Sequence, residues 1–160
     1  MAHISAQIPA GSHRGSCPVA EVDGQVNFAH PHLEEEWTRV HPAVRAIAHE
    51  LNEYLGDEGM ELVTITHALR SEASMAAIYG LDWKKKGRFS WHLVKRAVDI
   101  RNRDWSEDEL ERVVAWLKKN WPGAEVISHD IGHGNHLHLA VPAPRSAIRR
   151  LRRWLTRKEH

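Results

Sequence analysis

The sequence predicts an α+β domain, a small central antiparallel sheet flanked by helices. Three observations lead there. Segments rich in β-branched residues or alternating in polarity, at 62–66, 97–100, 124–128 and 134–141, read as strands. Apolar residues at helical spacing fill 42–55 and 107–119. The two kinds of segment intermingle without the regular strand–helix alternation of a parallel sheet. A chain of 160 residues can bury a proper core but is too short for two large domains.

Residues 1–29 are rich in Gly, Ser, Ala and Pro and read as an N-terminal arm, ordered at most in part; 30–160 form the single domain. In 42–55, Val44, Ile47, Ala48, Leu51 and Leu55 make one helical stripe. Pro42 suits its first turn and Gly56 its C-terminal stop. The preceding segment 33–40 either extends that helix or forms its own turn. Segment 72–79 reads as a short helix stopped at Gly80. Lys84, Lys85, Lys86, Gly87 and Arg88 read as a charged loop, either simply solvated or, from its position beside the next motif, at a rim. For 107–119, Ser106 and Glu109 have capping-box spacing, and Leu110, Val113, Val114 and Leu117 form the apolar stripe. Trp121, Pro122 and Gly123 end it. From about 144 a last helix carries Ile148, Leu151 and Leu155 on one side. Seven Lys or Arg against one Glu between Arg145 and His160 crowd its other side.

Composition narrows the function classes. A net charge of +1 excludes a polycation, and no apolar run reaches the length of a membrane span. Cys17 is the sole cysteine, so no intrachain disulfide forms. The N-terminus lacks a basic region followed by an apolar stretch, so the expectation is a protein made in the cytoplasm without a secretory signal. If its substrate lies outside, another agent delivers it.

The chemistry concentrates in two blocks. The later one is Gly134, Asn135, His136, Leu137, His138, Leu139, Ala140 and Val141. On a strand, His136 and His138 project from one face about 7 Å apart, while Leu137 and Leu139 pack behind. Such a pair can serve one small site. The earlier block runs from Ser90 to Asp99 and holds His92 and Asp99, two good zinc ligands seven residues apart. On one strand they would face opposite ways, and on one helix they would stand about 10 Å apart in rise. A shared metal therefore needs a turn between them, with 97–100 as the strand that follows.

This earlier block resembles the SxHxxGxAxD motif of the zinc D-Ala-D-Ala peptidases, which share one zinc architecture with lysostaphin-type endopeptidases and hedgehog domains. Ser90, His92, Ala97 and Asp99 match, and Lys95 stands where the motif has Gly. The resemblance covers roughly 60–142 and implies a hedgehog/DD-peptidase-like fold. It implies one zinc ion per chain on His92, Asp99 and His138, with the fourth position left to water. In relatives with an HxH ending the first His is catalytic, which assigns His136 the acid/base or transition-state role. Other members carry a Glu or Asp where this chain has Asn135, which cannot act as a base. Thr66, Arg70 and Ser71 match a Thr-Ser-x-x-Arg-Ser stretch whose Arg helps hold substrate, so Arg70 joins the candidate site.

Around these, Ser90 is expected to orient a neighbouring ligand, and His67 either faces the same cleft or packs. His129 and His133 are near enough in sequence to replace a ligand, and His133 otherwise belongs to a turn surface. The function implied is a zinc metallopeptidase acting on peptidoglycan stem or crosslink peptides, of the phage-endolysin, murein endopeptidase or carboxypeptidase kind, working as a monomer. The basic last helix would aid contact with anionic cell wall or lipid. Two other readings compete. His136, Leu137 and His138 also satisfy the metal motif of HUH nucleases, for which Tyr54 and Tyr79 are the only tyrosines. That reading leaves His92 and Asp99 unexplained, and no specific nucleic-acid contact is expected. The other is a non-catalytic zinc-binding interaction module.

Overall fold

The computed structural model describes residues 26–86, 89–130, 135–144 and 146–147. Expectations for most of the N-terminal arm, for His133 and for the basic last helix beyond 147 lie outside the described residues. In chain order the elements are β1 (Asn27–Phe28), α1 (His32–Thr38), α2 (Pro42–Asp57), β2 (Thr64–His67) and α3 (Glu72–Tyr79). A 3₁₀ turn (Trp91–Val94), β3 (Ala97–Arg101), α4 (Glu107–Asn120), β4 (Glu125–Asp130) and β5 (Asn135–Ala140) follow.

The α+β class holds, but the sheet is mixed, not purely antiparallel. Its order is β1-β2-β3-β5-β4. β1 runs parallel to β2, with Asn27 opposite Thr64 and Phe28 opposite Ile65. The reason is the connection: α1 and α2 lie between the two strands, and a long crossover of that kind returns the chain in the same direction. Val26 is buried in the core, so the domain begins within the segment that composition marks as an arm. β2, β3, β5 and β4 pair antiparallel in that order.

The segment 33–40 forms its own helix. Pro42 at the first position of α2 lacks an N–H, and the extended His41 before it (ψ 132°) breaks the path from α1. His41 also caps α2, its Nδ1 accepting the Ala43 N–H at 3.2 Å. Gly56 stays helical. The reversal falls three residues later at Gly59, whose φ of 67° is the left-handed conformation glycine tolerates. At α4 the capping box forms as its sequence predicts, with Ser106 and Glu109 each satisfying the other's backbone N–H.

One face of the sheet is the core. Val98 pairs with Leu139 and Ile100 with Leu137 across β3 and β5. All four are fully buried with Leu33 and Trp37 of α1, Ile47, Leu51 and Leu55 of α2, and Val113 and Leu117 of α4. Each such large side chain contributes roughly 1.5–3 kcal/mol by leaving water. Alternation along β3 and β5 then sends Ala97, Asp99, Arg101, His136, His138 and Ala140 to the opposite face. The helices therefore leave that face to the chemistry.

Candidate metal centre

The turn demanded by the seven-residue spacing is present. Ser90 Oγ accepts the His92 backbone N–H at 3.4 Å and starts the 3₁₀ turn. Lys95 then adopts φ 61°, ψ 27°, the left-handed conformation, and is the only non-glycine residue with positive φ among those described. The Lys95 N–H bonds the His92 carbonyl at 3.2 Å, and the Arg96 N–H bonds that of Trp91 at 2.9 Å. The chain thereby doubles back into β3, which returns Asp99 to His92. Glycine is the residue best suited to the Lys95 conformation, which gives a physical reason for glycine at that place in the resembling motif.

Strand register supplies the third group. Asp99 stands directly opposite His138 across β3 and β5, so the two side chains share a face. Three donor atoms then converge. His92 Nε2 lies 3.1 Å from Asp99 Oδ1, His138 Nδ1 lies 2.9 Å from Asp99 Oδ1, and the two nitrogens are 3.3 Å apart. His92 and Asp99 are each 1% exposed. Within the plane of this triangle the point equidistant from all three atoms lies about 1.8 Å from each. Zinc bonds to nitrogen and oxygen are about 2.0–2.2 Å, so the spacing of the three atoms would suit an ion of that size.

Hydrogen bonds prepare the donors. His92 Nδ1 sits 2.9 Å from the Ala68 carbonyl, which can only accept, so Nδ1 carries the proton and a neutral His92 turns its Nε2 lone pair inward. The loop offering that carbonyl is pinned from α1, since Glu36 Oε2 accepts the Leu69 N–H at 3.0 Å. On β2, Thr66 Oγ donates to the Asp99 backbone carbonyl at 3.1 Å. Arg70 Nη2 bonds Asp99 Oδ2 at 3.3 Å, leaving Oδ1 for the triangle. Burial by itself would raise the Asp99 pKa. When the two rings are protonated, the hydrogen bonds and charge of His138 and His92 outweigh it and hold the carboxyl well below the usual carboxylate range. An ionised oxygen and two imidazole nitrogens aimed at one point form a donor set for a divalent cation.

The other expected residues fall at graded distances. His136 Nε2 is 3.9 Å from Asp99 Oδ1, beside the triad on the same face. His129 on β4 lies opposite His136, with ring centroids 5.4 Å apart, and 6.1 Å from the His138 ring. It belongs to the site's flank and is no member of the triad. Loss of water, then the neighbouring His136 and His138, push its pKa down. His67 ends β2 opposite Asp99 and is exposed. Loss of water around its ring outweighs the pull of Asp99 and lowers its pKa. Asn135 starts β5 opposite Asp130 and is exposed, with no side-chain contact to the triad among the described residues. In the charged loop Lys84 pairs with Glu72 at 2.9 Å and Lys86 with Asp82 at 3.0 Å.

Sequence reasoning missed Glu125. Its Oε1 stands 3.9 Å from His138 Nε2, and its Oε2 accepts the Trp91 indole N–H at 3.4 Å. No motif signals it, because strand pairing alone brings it there. Tyr54 is stacked on Trp116 at 4.8 Å between α2 and α4, and Tyr79 ends α3. A groove of about 450 Å³ along α4, lined by Leu110, Glu111, Val114 and Ser128, contains none of the triad. No described helix is long and apolar enough to cross a membrane. Comparison of the chain with protein-family models, curated proteins and solved structures finds no match.

Proposed function

We propose that this chain is a zinc-dependent peptidase hydrolysing peptide bonds in peptidoglycan stems or crosslinks. The observation that carries the reading is the convergence of His92 Nε2, Asp99 Oδ1 and His138 Nδ1 within 3.3 Å of one another at a largely buried point. Two imidazoles and a carboxylate are a zinc donor set that leaves a coordination position open. The substrate class rests on the resemblance of Ser90, His92, Ala97 and Asp99 to the D-Ala-D-Ala peptidase motif.

When bound, the ion supplies Lewis-acid polarisation of the scissile carbonyl and acidifies water. The chain's own residues do the rest. His136 faces the triad through Nε2 and takes the proton of the attacking water there, then returns it to the leaving amine. Arg70 holds Asp99 Oδ2 through Nη2. Its remaining N–H groups grip a substrate carbonyl or carboxylate, work that suits a planar guanidinium.

Bound zinc per chain, measured by elemental mass spectrometry after loading and dialysis, tests the site. One zinc in the wild type and none in Asp99→Ala is expected. Release of peptides from purified peptidoglycan by the zinc-loaded protein tests the activity. Zinc retention unaffected by Asp99→Ala would sink the triad. Retained zinc with no cleavage of any peptidoglycan peptide would leave a non-catalytic zinc module, and nicking of single-stranded DNA lost in Tyr79→Phe or Tyr54→Phe would favour the nuclease.

A further inference from the structure

We infer that Glu125 is a positioning residue for the metal ligand His138; this rests on the triad reading above. His138 has two ring nitrogens with different surroundings. Nδ1 points into the triad, 2.9 Å from Asp99 Oδ1, while Nε2 points outward, 3.9 Å from Glu125 Oε1. An imidazole can offer Nδ1 to a cation only when its single proton resides on Nε2. A carboxylate facing Nε2 favours that tautomer and makes the opposite nitrogen a better donor.

Glu125 is itself held. It begins β4 directly opposite Ala140, two residues beyond His138 on the neighbouring strand and on the same face. The Trp91 indole N–H donates to its Oε2 at 3.4 Å, leaving Oε1 as the oxygen toward His138. Trp91 precedes the ligand His92, so one short turn presents a ligand and steadies the carboxylate behind another. Its ring is set by an edge-on contact with Phe89 at 5.0 Å. Because Glu125 meets the outward nitrogen of His138, it does not reach the reacting atoms and is no candidate for the base. His92 also has an acceptor behind it, and at hydrogen-bond distance: its outer nitrogen meets the Ala68 carbonyl at 2.9 Å, where Glu125 stands 3.9 Å from His138. Both imidazoles of the triad thus carry an acceptor behind them.

The test is zinc affinity by competition with a chromophoric chelator, for wild type, Glu125→Ala, Glu125→Gln and Trp91→Phe. The ¹⁵N shifts of His138 in the zinc-loaded proteins give a second readout. Glu125→Ala is expected to weaken zinc binding by about 10–100-fold, and Glu125→Gln, which keeps an acceptor oxygen, by less. Trp91→Phe removes the indole N–H while keeping an aromatic ring beside Phe89 and serves if Glu125→Ala fails to fold; weakening of about threefold is expected. His138 should carry its proton on Nε2 in the wild type. Wild-type zinc binding matched within twofold by Glu125→Ala and Trp91→Phe would overturn the inference while leaving the triad standing; a zinc-loaded His138 protonated on Nδ1 would overturn the inference together with His138 Nδ1 as a ligand. A wild type that binds no zinc would overturn both.

Discussion

Lys95→Gly isolates the turn on which the site depends. The Lys95 side chain is exposed, and it makes no hydrogen bond or ion pair among the described residues, so the substitution acts through the backbone. At φ 61° a residue with a Cβ bears roughly 1–2 kcal/mol of steric cost. Glycine removes that cost but loses about 0.5–1 kcal/mol more in chain entropy on folding. The difference leaves Lys95→Gly more stable by about 0.5–1 kcal/mol. For a chain of this size that is a rise in Tm of about 1–4 °C. Urea unfolding of the metal-free protein measures it, with an unchanged m-value showing that the native and denatured states are otherwise preserved. Lys95→Ala is the control, because alanine keeps the Cβ and should gain nothing. Zinc affinity should move by less than about twofold, since the hydrogen bonds that fold the turn are backbone bonds. A glycine variant no more stable than the alanine variant would show that the left-handed residue bears no strain, and the reasoning from Lys95 to the motif's glycine would fail.

His136→Ala should lower peptidase kcat by about 10²–10⁴-fold with one zinc still bound per chain; loss of the metal instead would make His136 a ligand. His41→Ala should cost about 0.5–2 kcal/mol at pH 8 by removing the α2 cap. Loss of water and the Arg96 charge hold the His41 pKa below its ordinary 6.5, so the cap is fully present above that pH. As pH falls below 6.5 the unfolded chain takes the proton first, and the stability contributed by neutral His41 drains away. Urea midpoints of the two proteins should therefore converge as the pH falls below 6.5. A gap that is constant or widens toward acid would refute the assignment.

The helices and strands were legible wherever local pattern decides them. Ser106 and Glu109 mark the start of α4 because a capping box is satisfied within four residues, and Pro42 marks α2 for the same local reason. The two-residue β1 was not legible. Asn27 and Phe28 are a strand only because β2 lies beside them, and their parallel direction comes from the α1–α2 crossover. Gly56 is the expected stop of α2, but the chain reverses at Gly59, where the Met60 N–H bonds the Leu55 carbonyl at 2.8 Å.

For the site, the sequence by itself determined the ligand types, the need for a turn between His92 and Asp99, and that His136 and His138 share a face. These follow from covalent spacing and the two-residue period of a strand. The resemblance named His138 as the third ligand, and tertiary structure supplied the physical reason. The β3–β5 register sets His138, and not His136, opposite Asp99, while the β4–β5 register leaves His129 on the flank. It also turned Arg70 onto Asp99 and brought Glu125 behind His138. Each of these contacts joins residues on different strands or loops. Register is set by burying Leu137 and Leu139 against Val98 and Ile100 in the core, so the chemistry on one face of the sheet is aligned by the packing on the other.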